Sequence, residues 1–220
     1  MFHISDSKFY DKGITLIEIV VAIFIITFFS LILIADYPKI KTQYAISRAT
    51  YKLAQDLRRA QDFGLSGAQI KYNGGIVPAK GYGIYVYVDP TQGVISTKYL
   101  LYADVSDGNA AHDKKYTDAG AHNCAGGQPY NCCDQDTTVP TADCVIDVID
   151  LSQQNSNLYI KSVSNISTAY TSVNFIPPNP TISIDNISSG NTIGIVLGLT
   201  SDSASSRTVF VNTSGLINVQ

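Results

Sequence analysis

The run from Ile14 to Ala35, ITLIEIVVAIFIITFFSLILIA, is twenty-two residues long and carries one charge, Glu18. As a helix rising 1.5 Å per residue it would span about 33 Å, enough to cross a hydrocarbon core of about 30 Å. A helix that is apolar on every side has no face to offer water, so this run decides where the chain can reside. A secretory signal peptide also sets apolar residues behind a polar start, but its apolar stretch is about 7–15 residues and a small-x-small cleavage site follows it. Here Asp36-Tyr37-Pro38 follows instead. The run reads as a retained transmembrane segment, residues 14–35.

Glu18 is the anomaly within it. An acidic residue at the centre of a membrane helix costs on the order of 2.5–3.5 kcal/mol on insertion scales, and this one sits near the end. The cost must be offset by a partner or avoided by position. Thirteen mostly polar residues, MFHISDSKFYDKG, precede the run and end in Lys12-Gly13. A cut between Gly13 and Ile14 would free a positively charged amine one helical turn before Glu18. Paired in low dielectric, within one chain or between neighbours, these charges would penalise any stagger that left either alone.

The hexapeptide Gly13-Ile14-Thr15-Leu16-Ile17-Glu18, followed by the apolar run, resembles the class III signal of type IV prepilins and pseudopilins. The resemblance implies that residues 1–13 are a leader, that a membrane-embedded prepilin peptidase cuts after Gly13 and methylates Ile14, and that Glu18 serves methylation and subunit registration. That family usually begins its mature chain with Phe or Met. The leader here is not distinctly basic, with Lys8 and Lys12 balanced by Asp6 and Asp11.

Beyond Pro38 a helical period resumes over Tyr44–Gly64. Ile46, Ala49, Leu53, Leu57 and Ala60 form one apolar stripe, while Arg48, Lys52, Gln55, Asp56, Arg59 and Asp62 point elsewhere. Gly64 is the expected stop. The pattern predicts one long helix from about Ile14 to Phe63, bent at Pro38, with residues 36–66 as its extracytoplasmic half. From Gly81 the period becomes two. Strands are expected at Gly81–Val88, Val94–Val105, Val145–Leu151, Leu158–Val163, Thr171–Phe175, Thr181–Ile187, Thr192–Leu199, Thr208–Asn212 and Leu216–Val219. The fold class is therefore α+β, a helix packed on an antiparallel β-rich head at 67–220. In the family resembled, this is the pilin fold.

Between the strands, Ser106–Thr141 lacks periodicity and reads as a long surface loop. With Cys144 just after it, it holds the chain's four cysteines, the others being Cys124, Cys132 and Cys133. Spacings of eight, one and eleven lack the paired close spacing of a zinc ribbon, so disulfides are expected, with Cys124 and Cys144 each joined to one of the adjacent pair. Asp104, Asp107, Asn109 and Asp113 offer hard oxygen ligands compatible with calcium, although not at EF-hand spacing, and the same residues serve ordinary turns. His3, His112 and His122 have no nucleophile beside them. No catalytic constellation is legible, and no enzyme activity is expected.

Composition narrows the partners. The chain is 15% charged with formal net charge −3, and the loss of residues 1–13 leaves that charge unchanged because two Lys and two Asp depart together. Phosphate binding needs clustered Lys and Arg, yet none follows Arg207 to the end, so nucleic acid is not expected as a partner. Tyr51–Ala68, the Gly81–Val86 strand, and the closing Arg207–Val211 and Ser214–Ile217 segments look like the GspH/FimT group of minor pseudopilins and minor pilins. That resemblance implies a structural subunit of a type IV pilus or type II secretion pseudopilus. Its partners would be other pilins, the prepilin peptidase, an inner-membrane assembly platform and membrane lipid, with the head outside the cytoplasm. The alternative role is a fibre-tip adhesin or DNA-uptake receptor with the Ser106–Thr141 loop as its contact surface.

Overall fold

A computed structural model describes residues 13–72, 75–88, 96–105, 116, 143–177 and 181–220. The chain divides into two compact units, Met1–Lys41 and Thr42–Gln220. One helix, α1 (Leu16–Ser66), belongs to both.

In the first unit the apolar side chains of α1 stand exposed, and one stretch, Leu16–Ile34, is long and apolar enough to cross a membrane. Its two hydroxyl side chains bond inward. Thr27 Oγ1 donates to the Ile23 carbonyl at 2.9 Å and Ser30 Oγ to the Ile26 carbonyl at 2.7 Å. Neither therefore demands water, and the helix remains compatible with hydrocarbon. The helix runs on through Pro38, which has no N–H to return to Ile34.

The end of α1 differs from expectation by three residues. The stop is Gly67, whose φ of 57° is left-handed and favours glycine. Its N–H donates to the Gly64 carbonyl at 3.4 Å, and the Ala68 N–H donates to the Phe63 carbonyl at 3.2 Å, a Schellman closure. Gly64 is a packing position instead. A Cβ there would lie 2.7 Å from the Phe175 carbonyl oxygen, so only glycine lets the helix approach that strand.

Among the described residues the second unit holds eleven strands. β1 (Gln69–Tyr72) and β2 (Gly75–Pro78) form an antiparallel hairpin. A five-stranded antiparallel sheet follows in the order β5-β4-β3-β7-β8, built from β3 (Gly81–Tyr87), β4 (Lys98–Asp104), β5 (Cys144–Asp150), β7 (Tyr170–Ile176) and β8 (Thr181–Ile184). The second sheet, also antiparallel, runs β11-β10-β9-β6, with β6 (Leu158–Ser164), β9 (Thr192–Leu199), β10 (Asp202–Asn212) and β11 (Ile217–Val219). Among the described residues the head is thus two larger sheets and a hairpin, where the period alone suggested one set of strands.

Of the three crossovers that join the sheets among the described residues, two, β6 to β7 and β8 to β9, contain Asn-Ile-Ser. Ile166 and Ile187 form an antiparallel bridge, Ser167 N–H donates to the Asn186 carbonyl at 2.9 Å, and Ser188 N–H donates to the Asn165 carbonyl at 2.8 Å. Asn165 and Asn186 both take left-handed φ near 60°, which asparagine tolerates better than most residues. Each crossover thus pairs with the other, satisfying backbone groups that the change of sheet would otherwise strand.

Ile46, Ala49, Leu53, Leu57 and Ala60 of α1 enter one core with Tyr82, Ile84, Leu101, Val173 and Phe175 of the first sheet and Ile195, Leu197 and Val209 of the second. Alternation assigns the faces. Tyr82, Ile84 and Val86 share the helix-facing side of β3, where the Tyr82 ring meets Phe63 at 5.3 Å and its hydroxyl donates to the Ala68 carbonyl at 2.9 Å. Burial pushes the Tyr82 hydroxyl pKa up, so it stays a neutral donor.

Candidate functional site

The scissile bond suggested by the hexapeptide lies between Gly13 and Ile14. Residues 13–15 precede the helix and are exposed. Gly13 and Ile14, on either side of that bond, therefore lie outside the helix, so a peptidase has no helical turn to unwind there. The helix then begins with a side-chain cap. Thr15 Oγ1 and the Thr15 carbonyl both accept from the Glu18 N–H, at 3.3 Å and 3.1 Å. Thr15 and Glu18 stand in the S/T-x-x-E/Q spacing of a capping box.

This gives Glu18 a local role in addition to the one expected from its charge. It lies in the first turn, where the partial positive charge of the helix N-terminus favours a carboxylate. A freed amine at Ile14 would be largely protonated at neutral pH and would add a full charge next to that partial one. Glu18 itself is exposed. The carboxylate is accordingly available to an amine on its own helix or on a neighbour. Thr15 was not singled out from the sequence, although the Thr-x-x-Glu spacing was legible there.

Elsewhere a buried carboxylate ties α1 to the sheet. Asp56, expected on the polar side of the helix, is only 3% exposed. Lys52 Nζ donates to its two oxygens at 2.7 and 2.9 Å, and Tyr99 Oη donates to Oδ2 at 2.7 Å. Burial first, then the nearby Asp56 charge, drive the Tyr99 pKa well up, so the phenol remains a donor. Arg59 of the same helix reaches Asp147 of β5 at 3.7 Å. These contacts fix how α1 lies on the first sheet, and they read as structural.

The other candidates are placed as follows. Asp104 is 1% exposed at the end of β4, and its Oδ2 accepts from Asn174 Nδ2 at 3.3 Å. Asp107, Asn109 and Asp113 lie outside the described residues, and among the described residues no three His, Cys, Asp or Glu side chains gather as metal ligands. Cys144 is buried at the head of β5 and disulfide-bonded, while Cys124, Cys132 and Cys133 lie outside the described residues. His3, His112 and His122 do too.

Within Ser106–Thr141 only Tyr116 is described. Its ring sits 4.6 Å from Tyr85 and 5.2 Å from Tyr102, and its N–H donates to Ser172 Oγ at 3.3 Å. Tyr116 thus lies on the sheet face opposite α1.

No curated protein and no solved structure matches the chain. Residues 8–34 match the family model of the prokaryotic N-terminal methylation motif. That span takes in Gly13, Ile14, Thr15, Glu18 and the apolar helix to Ile34, so the chain carries at its head the class III signal of type IV pilins.

Proposed function

We propose that this chain is a structural subunit, a minor pilin or pseudopilin, that enters a membrane-anchored fibre through the first part of α1 and displays the two-sheet head. The single observation that carries the reading is the match at residues 8–34, in which the cleavage glycine, Glu18 and the apolar helix occur together. The exposed apolar side chains of Leu16–Ile34 support it, because such a surface needs lipid or copies of the same helix around it. The role is assembly, not catalysis.

In this reading a prepilin peptidase cuts the Gly13–Ile14 bond and methylates the new amine, the head lies outside the cytoplasm, and an inner-membrane platform moves the subunit into a fibre with other pilins. Cys124 and Cys144, each joined to one of Cys132 and Cys133, would close the head oxidatively. Likeness to the GspH/FimT group rests on Tyr51–Ala68 and the strand motifs alone.

Mass spectrometry of the N-terminus tests it first. N-methyl-Ile14 is the expected mature terminus, whereas an intact Met1 in protein taken from the membrane would sink the proposal. Two substitutions then separate the roles of Glu18. Glu18→Gln keeps the capping spacing and removes the charge, while Glu18→Ala removes both. Loss of fibre incorporation in both variants is expected; incorporation by Glu18→Gln at the native level would transfer the role from charge pairing to helix capping.

A further inference from the structure

We infer that Tyr37–Lys41 seats the unassembled chain in the headgroup layer of the membrane, with Lys39 and Lys41 binding anionic phospholipid headgroups. This rests on reading Leu16–Ile34 as membrane-spanning. With Ile34 at the edge of the hydrocarbon, the helical rise places Tyr37 about 4.5 Å and Lys41 about 10 Å further out. The headgroup layer on each side is about 5–8 Å thick, and a lysine stem can lie back along the surface to keep its ammonium within it. These residues therefore fall where amphipathic side chains are most stable.

Each has suitable chemistry. Tyr37 and Ile40 are 66% and 60% exposed, and Lys39 and Lys41 are exposed as well. Tyrosine at this depth buries its ring among acyl ends and keeps its hydroxyl wet. Successive residues turn about 100°, so Lys39 and Lys41 leave the helix about 200° apart. However the helix is rotated or tilted, one ammonium faces the lipid surface.

Charge selects the occupant. With Asp36 just before the segment, Lys39 and Lys41 leave residues 36–41 with one negative and two positive charges, a net +1. A second copy of this chain would bring the same net +1 to the same depth, so like would meet like. A leaflet of anionic lipid has the complementary sign, and the apolar helix already delivers the segment to it.

The test uses the full chain in vesicles. The sequence contains no tryptophan, so Tyr37→Trp introduces a single fluorophore that also suits the interface. Energy transfer from that indole to acceptor-labelled phosphatidylglycerol is compared with transfer to acceptor-labelled phosphatidylcholine. An enrichment of the anionic lipid by about five-fold per lysine engaged is expected, falling in Lys39→Gln/Lys41→Gln and at high salt. Equal transfer to both lipids, or an enrichment that persists in the double variant, overturns the inference. Transfer that rises with protein density but not with anionic lipid overturns it in favour of a second copy. Co-flotation with vesicles and quenching by chain-labelled lipid report the membrane span separately: if both hold while enrichment fails, the headgroup assignment falls alone, and if both fail, the membrane reading falls with it.

Discussion

The two parts of α1 are one continuous helix with opposite logic. Leu16–Ile34 is apolar on all sides and its large side chains are exposed, from Ile32 at 46% to Leu16 at 81%. From Ile46 to Ala60 the apolar residues recur every three or four positions, and Ile46, Ala49, Leu53, Leu57 and Ala60 are all at most 3% exposed. The difference teaches that the second part finds its burial inside its own chain, whereas the first must find it in lipid or in other helices.

The comparison is broken most directly by truncating a leucine on each side. Leu57→Ala should cost about 2–5 kcal/mol and lower the thermal midpoint of the head, followed by near-ultraviolet circular dichroism of the full chain in detergent. Leu31→Ala should leave that midpoint where it was. Equal losses would mean that the first part of α1 also packs into the head core.

Next in size is Gly64→Ala. The new Cβ would press on the Phe175 carbonyl and Cβ, both belonging to β7, and overpacking of this kind costs about 1–3 kcal/mol in the same melt. Gly13→Ala, where nothing lies within 4 Å, should leave the melt unchanged.

Tyr99→Phe sharpens the comparison on the polar side. It leaves the buried Asp56 carboxylate with Lys52 but without the phenol, an expected cost of about 1–3 kcal/mol. Urea unfolding monitored with an unchanged m-value would read it as loss of stability alone. A neutral result would show that water replaces the phenol.

The smallest effect concerns Asp150, which caps a short 3-10 turn at Leu151–Gln153 through Ser152 N–H at 2.9 Å and Ser152 Oγ at 2.6 Å. Burial opposes its ionised form, but the Ser152 bonds and Lys98 prevail and lower its pKa below 3.8. A depressed carboxylate stabilises the fold in full above the ordinary value and loses that contribution as pH falls through the native one. Asp150→Asn should therefore melt lower than the parent at neutral pH, and the gap should close in acid below about pH 4. A gap constant with pH would remove the charge from the explanation.

Much of this was legible before any coordinates. Thr192–Leu199 is the expected strand to the residue, because Ile193, Ile195, Leu197 and Leu199 recur at every second position and leave little freedom in placing it. β10 instead begins at Asp202, six residues before the expected start, since its exposed Ser-rich half shows no alternation to read. β1 and β2 went unrecognised because four-residue strands are too short for a period to emerge. Asp56 was misplaced for a different reason: a charged residue beside an apolar stripe looks solvated until Tyr99, forty-three positions away, arrives to bond it.

By itself the sequence determined an apolar helix long enough to span a membrane, the N-terminal methylation motif and the α+β order of elements. These are local properties, set by composition over one run, by spacing over six residues and by periods of 3.6 and 2. Tertiary structure alone decided that the strands divide into two sheets clasped by paired Asn-Ile-Ser crossovers, that Gly64 is a contact and Gly67 the stop, and that Asp56 is buried. Those outcomes depend on residues distant in the chain meeting, and no local pattern records which partner will supply the missing hydrogen bond or fill the space beside a glycine.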